Sequence, residues 1–578
     1  LQFIPLSICF VPPEYEHFNN EDILTVSDPV SSAISELQMR SGSQPNVSIE
    51  DRVRLCRECL EGLVAVVDEW IQAGAKNKQC PNDASVMAEE LLSGPAVIAR
   101  QLRLTIQTLQ AIQSGSNPRL PGSIRRLPDG QIAVPVFPTV GFFDSLTFSG
   151  LHAVVRMQQG VSENDLHGRR VEVARNGRIS GITGVLGAGN VTSIPVTDGL
   201  NKVMFEGRQV ILKLNPVNQY LGGLIERSFA PLFRAGLLRI VLGAADVGSQ
   251  MVNHPGIDDV HVTGSVTTHD AIVWGSTAEE RRQRKQANDP RLKKKVTSEL
   301  GNVTPWIIVP GRYSPRELDS QAQHLVASIT NNASFNCLST RVIVIWDRWE
   351  QRAQFLDLLK HYLSETPRRP AWYPGAVERY QRFAANGTQP DETNRLPWTL
   401  LTNQSIEERP ELFREESFAC VCAETLLGGA SPAEFLALTT DFLNDRVFGS
   451  LCASVTFPKQ FRRENAKDEQ RCLQKLRYGT VCVNQWSGLA YGLASPPWGA
   501  FPGANLTNVD SGIGDVHNIY LLDRYEKTIL EGPLINFPKP VWFAGHKTAL
   551  EVAKRLLALY DHTSITRLPS LFVAALRG

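Results

Sequence analysis

From Arg178 onward short apolar runs alternate with amphipathic stretches, and this alternation constrains the fold more than any other feature of the chain. RISGITGVLG, QVILKLNP, LRIVLGA and DDVHVTGS read as strands with helical patterns between them, which requires βαβ units and a parallel sheet. A polar segment from Glu279 to Lys295, eight of whose residues are Lys or Arg, interrupts the pattern and reads as a solvated insertion or linker rather than a phosphate-binding patch. The alternation resumes with PWIIV, RVIVIW, SFACVCAE, LCASVTF and TVCVN, so a second α/β unit is expected. Ahead of both units, helical patterns run from Asn46 to about Ala75 and from Ala84 to about Ile112. Residues 1–45 are rich in Ser and Pro and read as irregular, and a last helical pattern spans Thr548 to Leu559.

Composition narrows the partners. The 578 residues suit two or three domains. With 59 basic and 59 acidic residues the chain has no electrostatic specialisation, so nucleic acid is not expected as a partner. No run approaches the roughly 18 apolar residues of a membrane span. The ten cysteines follow no repeating spacing, and the Cys56/Cys59 pair falls within a helical pattern, so neither disulfides nor a metal is expected. These features, with glycosylation sequons at Asn190, Asn302 and Asn332, favour a cytoplasmic protein.

The most informative segment is Ser314–Trp346. Ser314, Pro315 and Glu317 form a helix start with a capping-box carboxylate, and Leu318, Ala322, Leu325, Val326 and Ile329 mark one helical face. The polar stretch NNASFNCLST joins this helix to the strand RVIVIW, which puts Cys337 on a loop, where a thiol can react rather than merely fill a core.

At this point the sequence resembles the aldehyde dehydrogenase superfamily, over roughly Asn46 to Glu531. The family's Asn-x-Gly-Gln-x-Cys is represented by Asn332-Ala-Ser-Phe-Asn-Cys337, and its Glu-Leu-Gly-Gly-Lys-x-Pro by Glu299-Leu-Gly-Asn-Val-Thr-Pro305. Its Pro-Trp-Asn-Phe-Pro is represented by Ala188-Gly-Asn190-Val-Thr-Ser-Ile-Pro195, and its Lys-Pro-x-Glu by Lys213-Leu-Asn-Pro216, where Pro stands in the place of the carboxylate. Val262-Thr-Gly264-Ser265 matches Phe-Thr-Gly-Ser, with His269 replacing a later glycine, and Glu415-Glu416-Ser-Phe418 resembles Glu-Glu-Ile-Phe. Tyr478-Gly479-Thr-Val-Cys-Val-Asn484 and Pro497-Trp-Gly499 resemble the closing motifs. The joint order of these motifs, rather than any one of them, carries the resemblance.

The resemblance implies an α/β fold. It comprises a Rossmann-like NAD(P)-binding domain with its helical lead-in (46–297), a second α/β catalytic domain (298–510), and an oligomerisation strand with a C-terminal extension (511–578). It implies oxidation of a small-molecule aldehyde. Cys337 would be the nucleophile, Glu299 the base that activates water, and Asn190 a donor to the oxyanion, with local electropositive groups favouring the thiolate. NAD or NADP would be held by Lys213, Gly264, Ser265, Glu416 and Phe418, with His269 able to add positive charge. A homo-dimer or homo-tetramer is implied, with the strand around Lys527–Leu530 as the pairing edge. Two alternatives stay open: transfer of the acyl group to coenzyme A, and a catalytically silent member with a structural role.

Overall fold

A computed structural model describes residues 28–41, 46–385 and 387–578. Of the amino-terminal segment expected to be irregular, residues 1–27 and 42–45 lie outside the described residues, whereas Pro29–Ser41 forms a helix. The lead-in begins with the helix Ile49–Asn77, capped by the Ser48 hydroxyl, which accepts from Asp51 N at 3.0 Å. Its buried stripe, with Cys56, Cys59 and Trp70 inaccessible to solvent, packs on the helix Pro95–Gln113. The second helical pattern is two helices, Ala84–Ser93 and Pro95–Gln113, because Gly94 leaves helical geometry and Pro95 opens the next first turn.

The first α/β unit is a six-stranded sheet. Its spatial order is Gly512–Ile513, Lys295–Leu300, Asp259–Gly264, Ile182–Leu186, Gln209–Lys213, Leu238–Val241; only the short Gly512–Ile513 strand is antiparallel. The chain starts this sheet at Ile182–Leu186 and builds outward on both sides, which creates a topological switch point beside Asp259–Gly264. A ligand crevice lies beyond the carboxyl ends of strands at such a point. The segment expected as a basic loop belongs to this unit: Ala278–Ala287 is a helix capped by Thr277. Its charges are used in pairs, Arg284 with Glu280 at 3.1 Å and Lys285 with Asp270 at 2.6 Å, so it is not a free cationic patch.

The second sheet has ten strands, with a parallel core of Tyr525–Glu531, Thr480–Val483, Cys452–Thr456, Thr304–Ile308, Thr340–Trp346, Val421–Leu427 and Thr399–Leu401 in spatial order. Beyond Tyr525–Glu531 follow the antiparallel strands His152–Met157, Ile132–Phe137 and Arg125–Arg126. Two expectations change here. Residues 125–157, assigned to the cofactor-binding portion, complete the other sheet, and the 297/298 boundary falls inside the strand Lys295–Leu300. The strand around Lys527–Leu530 is also no free edge. Thr528 pairs with Val155 on one side and Thr480 on the other, so its backbone groups are already spent within the chain.

The C-terminal extension folds as the helices Ala549–Asp561 and Leu568–Leu576. The first packs on Ala84–Ser93 and Pro95–Gln113, and Arg103 Nη1 donates to the carbonyls of Leu559 (3.0 Å) and Tyr560 (2.9 Å), placing a cation at the negative end of the helix.

Lys527 is inaccessible, and its ammonium donates to the carbonyls of Gln474 (2.7 Å), Leu473 (3.3 Å) and Leu476. Burial pulls its pKa down to about 8. Lys527→Met leaves these carbonyls without donors and is expected to cost roughly 3 kcal/mol, read from the shift of the chemical-denaturation midpoint.

Candidate active site

The helix Pro315–Thr330 starts as its sequence requires. Glu317 N donates to Ser314 Oγ at 3.3 Å, and Ser314 N donates to the Glu317 carboxylate at 2.9 Å. At its far end the chain turns through three consecutive left-handed residues, Asn332 (φ 53°), Ala333 (φ 53°) and Ser334 (φ 70°), before reaching Cys337. Each such non-glycine residue costs on the order of 1 kcal/mol, so the turn needs outside support.

That support is a set of buried hydrogen bonds. Asn332 Nδ2 donates to Asn190 O (2.8 Å) and Phe335 O (2.9 Å), while Lys78 Nζ, itself paired with the buried Glu90, donates to Asn332 Oδ1 at 2.5 Å. On the other side Arg341 Nη1 reaches Ser334 Oγ (2.7 Å) and Ala419 O (2.6 Å), and its Nη2 reaches Ser334 O at 2.5 Å. Ser334 occupies the place of the family's glycine, and its hydroxyl is bound by the same guanidinium. Asn190 is brought under this loop: its Nδ2 donates to Phe335 O at 3.0 Å, with one N–H still free for another acceptor.

Cys337 meets Glu299 across the junction of the two sheets. The half-buried thiol donates to Glu299 Oε1 at 3.3 Å. Glu299 ends a buried strand, and burial pushes its carboxyl up to about 8, with Asp198 and Glu416 adding repulsion and Cys337 and Trp498 pulling the other way. Burial also raises the Cys337 thiol, and the acids Glu299 and Glu416 raise it further. The electropositive surroundings expected for this thiol are thus replaced by carboxyls. Asp198, which had no sequence signal, is fully buried on the helix that follows Asn190 and accepts from Thr263 Oγ1 at 2.8 Å.

Glu416 and Phe418 flank the same centre. Burial pushes Glu416 up to about 7, against the attraction of Arg341, and its Oε1 is buried with no hydrogen-bond partner. The Gly301 in Glu299-Leu-Gly has a direct role here, because a Cβ at that position would lie 2.3 Å from Glu416 Oε2. Phe418 packs on Phe335 at 6.0 Å between ring centroids and on Tyr373 at 5.1 Å. The remaining nucleotide candidates lie apart from these, at the carboxyl ends of the first sheet's strands. Gly264 is exposed with open space beside its Cα, and Ser265 caps the helix Val266–Val273 by accepting from Thr268 N at 3.1 Å. The buried Lys213 has its pKa lowered by desolvation, opposed by Asp246, the acid nearest in effect to the carboxylate missing at Pro216. His269 does not extend this group; it is inaccessible, with Nδ1 3.4 Å from Asp270 Oδ1.

A cavity of about 240 Å³ reaches Cys337 and Glu299 and is lined largely by apolar and aromatic side chains, among them Phe148, Trp486, Tyr491 and Trp498. Asn190 does not line it. Trp542, Phe543 and Tyr560 of the C-terminal extension do, although that segment carries no chemical motif. Arg341 and Lys78 were likewise missed. A charged residue opening the apolar run RVIVIW is a readable signal for the first; nothing local marks the second.

The architecture is a switch-point parallel sheet facing a larger sheet that carries the thiol loop, a two-sheet α/β fold. Residues 153–379 match the aldehyde dehydrogenase family. No curated protein matches the sequence. Solved structures share the fold at low identity. An NAD-dependent aldehyde dehydrogenase from Sinorhizobium meliloti is 16% identical with a TM-score of 0.57, covering 89% of this chain and 88% of its own. The aldehyde dehydrogenase KauB from Pseudomonas aeruginosa is 16% identical with a TM-score of 0.56 (87% and 88%), and lactaldehyde dehydrogenase from Escherichia coli is 16% identical with a TM-score of 0.54 (87% and 90%). The family match is confined to residues 153–379, and the fold over most of the chain is shared with these solved aldehyde dehydrogenases.

Arg341→Met removes the donors that hold the left-handed turn. It is expected to cost roughly 3 kcal/mol and to speed both amide exchange at residues 332–336 and iodoacetamide alkylation of Cys337; unchanged rates would show that the turn is held by other contacts.

Proposed function

We propose that the chain oxidises an aldehyde to a carboxylic acid with NAD or NADP, through a thioester on Cys337. The contact of the Cys337 thiol with Glu299 at the end of an apolar cavity carries this reading. Glu299, its affinity for protons raised to about 8 and its carboxylate already hydrogen-bonded to the thiol, takes the thiol proton as the sulfur adds to the aldehyde carbon. Asn190, which uses one N–H on Phe335 O beneath the Cys337 loop, and the loop backbone would be the donors to the alkoxide that this addition creates.

The residues fit a dinucleotide: the unpartnered Glu416 Oε1 suits a ribose hydroxyl, and open space at Gly264 admits a pyrophosphate to the start of a helix. Lys213 would face the adenosine side. When bound, the nicotinamide accepts the hydride that the former aldehyde carbon gives up. Glu299 then passes its proton to solvent and deprotonates a water, which adds to the thioester; as the C–S bond breaks, Glu299 returns that proton to the departing sulfur, leaving the carboxylic acid and the Cys337 thiol. Glu299 favours water over coenzyme A as acyl acceptor, because water is a far weaker acid than a thiol and depends more on a base beside it to add to the thioester.

Aldehyde-dependent NAD(P)H formation is expected from the wild type and absent from Cys337→Ala, with carboxylic acid as product. An acyl-coenzyme A product would transfer the assignment to the acylating reaction, and equal inertness of the two proteins across aldehyde sizes would support the silent alternative. Because Glu299 acts unprotonated, kcat/KM is expected to rise with pH and level off above about 8. Glu299→Gln should flatten this rise and lower the rate by about 100-fold or more.

A further inference from the structure

The cavity that reaches Cys337 and Glu299 opens beside the exposed residues Ser85 and Pro367, and part of its wall comes from outside both sheets. Val541, Trp542, Phe543, Leu556 and Tyr560 of the C-terminal extension line it. Several contacts fix this segment in place. The Phe543 ring meets the buried His324 ring edge-on at 4.8 Å, Arg100 Nη1 lies 3.5 Å from the Tyr560 hydroxyl, and Lys539 Nζ donates to Gly545 O at 2.7 Å. The helix Ala549–Asp561 is anchored by Arg103 as described above. The extension therefore acts as a wall of set shape.

The charges along the cavity restrict what can lie against that wall. Among the described residues Arg369 is the one Lys or Arg lining it, and it is paired with Glu89 at 3.3 Å; Asp83 adds a further negative charge. An anionic tail would find no uncommitted Lys or Arg among these lining residues. A neutral hydrocarbon or aromatic tail would find Leu92, Val97, Phe148 and the aromatic rings of the extension.

Building on the aldehyde reading, we propose that Val541, Trp542, Phe543 and Tyr560 determine specificity, selecting neutral aldehydes whose apolar tail extends from Cys337 to the C-terminal wall. Each methylene buried along the way should improve recognition by roughly fourfold until the tail meets the wall.

The test uses the full-length protein with two matched series, linear aldehydes from acetaldehyde to dodecanal assayed for kcat/KM, and the corresponding unreactive carboxamides titrated by calorimetry. Wild type should favour longer members up to a break and discriminate against ω-carboxylate analogues. Trp542→Ala should move the break to longer tails, and Val541→Trp should move it to shorter ones. Val541 and Trp542 are both partly buried at the margin of the core, so the denaturation midpoint of each variant is checked alongside its chain-length profile. If both variants keep the wild-type break in both series, or if affinity is independent of tail length, the wall does not set specificity. If the carboxamides bind with a wall-dependent break while no aldehyde is oxidised, the wall stands and the enzymatic reading falls.

Discussion

The left-handed turn at Asn332–Ser334 is the constraint on which the rest of the site depends. It aims Cys337 at Glu299, yet none of its three residues is a glycine, so the backbone does not hold that shape by itself. Four remote parts of the chain converge to hold it. Lys78 comes from the amino-terminal helical region, Asn190 from the first sheet, Arg341 from the strand that follows, and Phe418 packs on Phe335 from the loop near Glu416. The two sheets are thus coupled through this loop, and a disturbance at any of the four supports is felt at the thiol.

The second organising feature is the concentration of acids in a dry place. Glu299, Glu416 and Asp198 share one buried region with Cys337, and the cations that reach it, chiefly Arg341, are largely occupied with backbone carbonyls. Near neutral pH the resting state is therefore a protonated thiol against a mostly protonated carboxyl. A thiol kept protonated in this way is a poor target for alkylation and oxidation, because the thiolate is the reactive form.

Much of this was legible in the sequence wherever function depends on local pattern. The capping box at Ser314 and Glu317, the apolar run RVIVIW and the loop position of Cys337 are written in consecutive residues, and the folded chain keeps them. Glu299 and Glu416 were legible only through the ordered motifs of the resemblance, since neither carboxylate is marked by the pattern around it. Legibility failed where contacts link distant segments. Nothing near Lys78 announces that it will meet Asn332, and the strands Ile132–Phe137 and His152–Met157 acquire their place only from Tyr525–Glu531. His269 misled for the same reason: its motif position faces a cofactor in the resemblance, but the folded chain turns the ring inward.

The strand Tyr525–Glu531 has a consequence for biosynthesis. It lies between a strand more than 350 residues earlier and another nearer at hand, so the ten-stranded sheet cannot close until residues 525–531 have left the ribosome. Until then the antiparallel strands Ile132–Phe137 and His152–Met157 wait with an unpaired flank, and the parallel core waits at Thr480–Val483 with another. Late closure of this kind makes folding slow and leaves sticky intermediates, which ties the yield of native protein to chaperone capacity and to the integrity of the strand Tyr525–Glu531.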